Sequence, residues 1–292
     1  MFNVRVKKYL DTEELQVFSQ PICSKGDRVL DKKFSASTGE IFPGNSHVFR
    51  NPFSDEIDCY YNMGDPGENL KRSVRRSKTM IYDIAKSNVW DWFFTLTFDP
   101  DKLDSFNYSE CSKKLSQWLK NVKNRGNADL KYLIVPELHK SGRWHFHGLF
   151  AGCDDIGLTD SGHRDRQGRV IYNIGRYKLG FSTVTAIDDM HKASSYILKY
   201  VSKELCAVTK GKKRYWASNN CCKPVIEEYL VYKPTDEILA CSDESKGRLR
   251  KVFTEYVDVT YLEVPIYTTN TDFSKRCRRK INNMIYFSKI DK

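Results

Sequence analysis

Two histidines one residue apart, His145 and His147, stand in the run Glu137-Leu138-His139-Lys140-Ser141-Gly142-Arg143-Trp144-His145-Phe146-His147-Gly148. In a strand, side chains i and i+2 leave the same face. The two imidazoles therefore project together, while Trp144 and Phe146 project into a core. Two imidazoles beside a carboxylate can hold a divalent ion. Whether Glu137 is that carboxylate depends on register. A two-residue turn at Ser141-Gly142 would pair Leu138 with His145 and turn Glu137 away. A three-residue loop, Lys140-Ser141-Gly142, with Gly142 left-handed, pairs Glu137 with His145 and is a common hairpin class. The second register is expected, with His139 on the same face nearer the turn as a spare ligand or rim contact. The plain alternative is an amphipathic strand whose histidines do no chemistry.

A second reactive group lies further on. Asp188 to Leu205 reads as a helix with Met190, Ile197, Leu198, Val201 and Leu205 on one side. Tyr196, Lys199, Tyr200 and Lys203 gather near the opposite side. Phenols one helical turn apart can act as nucleophiles toward phosphorus. The lysines can stabilise phosphate charge or lower a phenol pKa from its ordinary value near 10. A solvated face with snorkelling lysines would have the same pattern.

Several elements must position these groups. Trp92 to Phe98 is a strong strand closed by Asp99-Pro100, with Phe94, Leu96 and Phe98 facing a core and Phe93, Thr95 and Thr97 on the other side. A helix from Ser109 to Lys123 buries Leu115, Trp118, Leu119 and Val122, with Ser109 as its expected N-cap. Further strands are expected at 132–138, 144–151, 170–174 and 181–187. A helix from Glu68 turns Leu70, Val74, Ile81 and Ile84-Ala85 inward, and Lys71, Arg72, Arg75, Arg76 and Lys78 outward. The expected fold is α+β, a mostly antiparallel central sheet flanked by helices, with additions at both termini. Residues 1–67 form an N-terminal extension of no assigned role, 68–218 the core, and 219–292 a C-terminal accessory region with a basic segment at Lys275 to Lys280.

The 292 residues carry 48 Lys+Arg against 37 Asp+Glu, a net charge of +11, which favours a polyanionic partner. Mean hydropathy is −0.58, no apolar run approaches a membrane span, and Met1 to Leu10 lacks the apolar core of a secretory signal. Nine scattered cysteines without a C-x-x-C suit reduced thiols in a cytosolic protein. Lys212, Lys213 and Arg214 lead into Tyr215-Trp216. Basic residues interleaved with aromatics suit single-stranded nucleic acid, through phosphate contact and base stacking. No Walker-type phosphate loop occurs.

Three pieces recur in order: Phe94-Thr95-Leu96-Thr97, the Pro136-to-Gly148 run with His-Phe-His, and Tyr196-x-x-Lys199-Tyr200-x-x-Lys203. Together with Gly180-Phe181 and Arg214-Tyr215-Trp216-Ala217-Ser218, they resemble the HUH endonucleases that initiate rolling-circle replication, and most of all the replication initiators of microviruses. The resemblance spans about Leu70 to Ser218 and implies a ferredoxin/RRM-like fold. It implies that Tyr196 or Tyr200 attacks a phosphodiester of single-stranded origin DNA, leaving a 5′-phosphotyrosyl link and a free 3′-OH. It also implies Mn²⁺ or Mg²⁺ on Glu137, His145 and His147, with Lys199 and Lys203 assisting. Thr95, Thr97, Arg75, Arg76, His139, Arg143, Lys212, Lys213, Arg214 and Trp216 are the expected DNA contacts. Host polymerase and helicase are the expected partners, in the cytoplasm of a bacterial host. A plasmid or transposon nuclease of the same superfamily would share these features. A non-catalytic RRM-like module would need neither histidines nor paired tyrosines, and a 2-His-1-carboxylate iron oxygenase would leave the tyrosine–lysine segment idle.

Overall fold

The computed structural model describes residues 2–22, 47–50, 57–60, 66–125, 129–153, 156–201, 205, 209, 211–232, 235–240, 248–253 and 257–265. The chain forms two compact units, one of residues 66–223 and one of residues 1–65 with 224–292. In chain order the elements begin with β1 (Phe2–Lys8), β2 (Thr12–Ile22), β3 (His47–Arg50), β4 (Ile57–Tyr60), α1 (Pro66–Lys86), β5 (Trp92–Phe98) and α2 (Tyr108–Asn124). Then come β6 (Lys131–Leu138), β7 (Trp144–Ala151), β8 (Leu158–Arg164), β9 (Val170–Ile174), β10 (Gly180–Ala186) and α3 (Met190–Tyr196), which continues into a 3-10 turn, Ile197–Tyr200. The last are β11 (Trp216–Ala217), β12 (Val225–Tyr229), α4 (Thr235–Ala240), β13 (Arg248–Val252) and β14 (Val259–Pro265).

The terminal unit is built on a five-stranded antiparallel sheet, β12-β1-β2-β14-β13, with β3 and β4 paired as a separate ribbon. Val4, Val17, Leu262 and Val264 bury one face of the sheet with Ile238 and Leu239 of α4. Two regions that are distinct in sequence, at opposite ends of the chain, thus share one core. The expectation of irregular structure before residue 67 does not hold for β1 and β2. Their alternation is masked by charged residues such as Lys7 and Glu14, which are buried in the sheet.

The central unit is α+β: a seven-stranded antiparallel sheet, β11-β6-β7-β5-β10-β9-β8, with helices on both faces, in keeping with a mostly-sheet ferredoxin-like fold. Strand parity divides the residues as the sequence implies. Phe94, Leu96, Phe98, Trp144 and Phe146 are buried in one core with Leu115, Trp118, Leu119 and Val122 of α2. The N-cap of α2 is Asn107 rather than Ser109. Its Oδ1 accepts the N–H groups of Ser109, at 3.0 Å, and Glu110, at 3.3 Å. Gly148 lets β7 lie beneath Phe94, because a Cβ there would fall 2.6 Å from the Phe94 ring and 2.5 Å from the Leu133 carbonyl oxygen. The opposite face carries Phe93, Thr95, Thr97, His145 and His147. The helix α1 packs against α3 and the 3-10 turn. It buries Val74, Ile81, Ile84 and Ala85 and leaves Lys71, Arg72, Arg75, Arg76 and Lys78 exposed.

The expected single helix over 188–205 is corrected. Asp189 caps α3, its Oδ1 accepting the Lys192 N–H at 3.0 Å. The α-helix ends at Tyr196 and tightens to a 3-10 turn that closes with Val201 N–H donating to the Leu198 carbonyl at 3.1 Å. Val201 leaves helical conformation at φ −92°, ψ 85°. Such tightening is common where a helix ends. Lys203 and the Lys275-to-Lys280 segment lie outside the described residues. Among the described residues no helix is long and apolar enough to cross a membrane.

Candidate active site

The β6–β7 hairpin adopts the three-residue loop. His139 N–H donates to the Arg143 carbonyl at 2.9 Å, Gly142 N–H donates to the His139 carbonyl at 2.8 Å, and Gly142 is left-handed at φ +82°. The strands then pair Leu138 with Trp144, Glu137 with His145 and Val135 with His147. Glu137, His145 and His147 share one face, as the longer loop requires.

His147 is the organising residue. One ring nitrogen, Nδ1, shares a 2.9 Å hydrogen bond with Thr95 Oγ1, and the other, Nε2, lies 2.6 Å from Glu137 Oε2. Burial holds its pKa below the ordinary imidazole value, and the hydrogen bond and charge of Glu137 only partly offset this. The neutral ring carries one proton, and the Thr95 hydroxyl can serve it as donor or acceptor. With the proton on Nε2, His147 donates to Glu137; with the proton on Nδ1, it donates to Thr95 and presents a lone pair beside a carboxylate.

The tyrosines come to this ring from the far side of the sequence. The Tyr200 ring stacks on His147, centroids 3.7 Å apart and planes 10° apart. Tyr196 meets Tyr200 edge-on at 5.6 Å and Phe93 at 5.3 Å. Lys199 Nζ sits 4.5 Å over the Tyr196 ring. Tyr200 is half-buried, and burial, followed by its hydrogen bond with Tyr196, pushes its phenol pKa well up. Tyr196 is 42% exposed. Strand parity places Phe93 on this face without assigning it a role. It touches both tyrosines and lies 6.4 Å from His147, which makes it the floor beneath them.

The donor set suits a divalent cation in part. Among the described residues no group of three His, Cys, Asp or Glu side chains is arranged to hold an ion as it stands. Two donors, Glu137 and His147 Nε2, converge, and Thr95 anchors the imidazole from behind in the manner that supports metal-bound histidines. Donors on adjacent positions of a small octahedral ion stand about 3 Å apart, so the 2.6 Å pair has to open only slightly. The third, His145, is stacked on His139 with centroids 4.8 Å apart, and must leave that stack to join them. Burial, then His139, keeps the His145 pKa down, with Glu137 opposing. His139 is a rim residue whose Nδ1 accepts the Ser141 N–H at 3.2 Å.

The expected DNA contacts divide into groups. Thr97 pairs with His145 across β5 and β7, next to Thr95. Arg143 reaches over the exposed Phe106 ring at 5.6 Å. Arg75 and Arg76 are exposed on α1. Lys212, Lys213 and Arg214 line a groove of about 870 Å³ against α1, together with Met80, Tyr215 and Lys223. These last three come from separated parts of the sequence, and no local signal marks them. Trp216 is corrected. It is 2% exposed, packs edge-on against Phe146 at 5.3 Å and donates its indole N–H to Ser116 Oγ at 3.2 Å, so its ring is closed to a base.

Residues 91–205 match the family model for the replication-associated proteins of the ORF2 and gene 2 protein type. The matched stretch runs from the start of β5 through the tyrosine segment and supports a rolling-circle replication initiator family, with replication initiation and DNA binding as the corresponding roles. It covers less than half of the chain. No curated protein and no solved structure matches.

Proposed function

We propose that the central unit nicks single-stranded origin DNA by tyrosine attack, as the microvirus-type initiators that the sequence resembles do. The observation that carries this reading is the Tyr200 phenol ring lying on His147, directly beside the Glu137–His147 donor pair. A hairpin and a distant helix deliver a nucleophile and phosphate-orienting groups to one point, which stacking alone would not require.

In this reading one phenol oxygen attacks phosphorus in line, forming the Tyr–O–P bond as the P–O3′ bond breaks. The phenol gives up its proton and the departing 3′ oxygen takes one up. Glu137, His147 and, once released from His139, His145 are the ligands for Mn²⁺ or Mg²⁺, which when bound neutralises a non-bridging phosphate oxygen. Thr95 holds the His147 ring in orientation. Lys199 stands where it can offset phosphate charge, and Lys203 is the further candidate for that role. Two tyrosines within 5.6 Å let one keep the first DNA end while the other attacks the regenerated junction and releases a circle. Thr95, Thr97, Arg75, Arg76, His139, Arg143, Lys212, Lys213 and Arg214 contact the strand, chiefly at phosphates. The free 3′-OH serves a host polymerase, with a helicase opening the duplex, in a bacterial cytoplasm.

The test is incubation with single-stranded DNA of the replicon that encodes the chain, with Mn²⁺, followed by denaturing electrophoresis. A covalent protein–DNA adduct that EDTA abolishes is expected. No adduct under these conditions, with DNA bound, reduces the unit to a binding module.

A further inference from the structure

On the face that carries the histidines, cross-strand pairing runs in two rows. One is Glu137, His145, Thr97, Phe181, and the other is Val135, His147, Thr95, Thr183. Neighbouring strands lie about 4.8 Å apart, so Phe181 sits about 10 Å along its row from His145. Its ring is 72% exposed. An aromatic so open on a strand in mid-sheet serves no core.

The strand that bears it is held firmly. A Cβ on Gly180 would fall 2.1 Å from the Thr97 carbonyl oxygen and 2.6 Å from the Asp99 nitrogen, so only glycine allows β10 to close on β5 there. Ser182, pointing to the opposite face, accepts the Ile174 N–H at 2.8 Å and is buried. Phe181 is thus fixed between two immobile neighbours, with exposed Lys178 and Thr183 nearby.

We propose that Phe181 is a stacking platform for one unpaired base of the DNA strand, seated beside the phosphate held at Glu137 and His147. This rests on the central unit binding single-stranded DNA. An unpaired strand offers both phosphates and open π faces, whereas a duplex hides its π faces in the base stack. A net charge of +11 attracts the phosphates of either, so an exposed ring next to a phosphate site favours the single strand. A phenyl ring cannot donate or accept a hydrogen bond, so the platform reads the presence of a base and not its identity.

The experiment compares the full-length chain with Phe181→Ala, Phe181→Leu and Phe181→Trp, by fluorescence anisotropy. The probes are labelled single-stranded (dT)20, an abasic 20-mer of the same backbone, and a duplex 20-mer. Loss of one stacked base weakens (dT)20 binding roughly tenfold in the Ala and Leu variants, and Trp restores it. The abasic and duplex probes bind all four proteins alike, and the salt slope does not change, because no phosphate contact is lost. Rescue by Leu would make this a plain apolar contact and overturn the proposal. So would equal weakening on the abasic probe, unchanged (dT)20 binding in Phe181→Ala, or no (dT)20 binding by the unaltered chain. Phe181-dependent binding with no covalent adduct would remove the nicking reading and keep the platform. Adduct formation with Phe181→Ala binding as tightly as the parent would remove the platform alone.

Discussion

The Tyr200 ring lies flat on the His147 imidazole, 3.7 Å between centroids, while Tyr196 stands edge-on to it and open to solvent. The two phenols are therefore not equivalent. Tyr200 is closer to the donor pair, but burial raises its pKa and stacking restrains it. Tyr196 is free to meet an incoming strand, with Lys199 over its ring. Tyr196→Phe should cut the initial rate of adduct formation by at least about tenfold, and Tyr200→Phe by less. Each single variant should retain some adduct and the double variant none. Both substitutions keep the ring and remove one hydroxyl, so the fold is undisturbed. Adducts mapped by mass spectrometry to any residue other than these two would reject the assignment.

Thr95 acts through His147. Its hydroxyl is the partner of Nδ1, and Nε2 faces Glu137. Thr95→Val keeps shape and strand propensity but deletes that hydrogen bond. Loss of such a supporting contact typically weakens metal affinity by about 10- to 100-fold. Titration of the adduct yield with Mn²⁺ should show the half-saturating concentration shifted by that factor, with the yield recovered at high Mn²⁺. His147→Ala should not recover at any concentration. A Thr95→Val curve that overlays the parent would mean the hydroxyl orients nothing.

The sheet and its hairpin register were legible because strand parity and one left-handed glycine are local properties. The 139–143 loop allowed two registers, and only one of them put Glu137 beside His145, which is the one formed. The tyrosine segment was half-legible. Its apolar spacing suits a helix, yet the chain tightens after Tyr196 and breaks at Val201, a choice set by packing on β6 and β7 rather than by propensity. Trp216 was misread because its basic neighbours imply a surface. Its own parity in β11 places it opposite Ile134, on the buried side. The sheet shared by the termini was not legible at all, since nothing local in Val4 announces Tyr229 as its partner.

Two glycines separate steric need from conformational need. A Cβ at Gly148 would collide with the Leu133 carbonyl and the Phe94 ring. At Gly168, φ is +80° and nothing lies within 4 Å, so only the left-handed backbone resists a side chain. Gly148→Ala should therefore destabilise the chain by about 3 kcal/mol, at the upper end of core overpacking. Gly168→Ala should cost about 1 kcal/mol. Urea unfolding midpoints give the comparison. Equal costs at the two sites would mean that the Phe94–Gly148 contact relaxes freely.

Alkaline stability should be limited by one buried thiol before any tyrosine. Burial first, then the carboxylates of Glu110 and Asp104, push the Cys111 pKa up to about 12 from an ordinary 9.0. The folded chain keeps this proton to high pH, whereas the unfolded chain releases it near pH 9. Between those values the unfolded state binds fewer protons, so stability is complete below pH 9 and falls as pH rises. The slope is about 1.4 kcal/mol per pH unit for this thiol. Tyr108 and Tyr177, also raised by burial, add to the loss only above their unfolded value near 10. Urea midpoints measured under reductant at pH 8, 9 and 10 should be flat over the first interval and fall over the second. Cys111→Ala lowers every midpoint by opening a cavity, but it should flatten the fall between pH 9 and 10. If the two profiles run parallel, the alkaline loss comes from elsewhere in the chain.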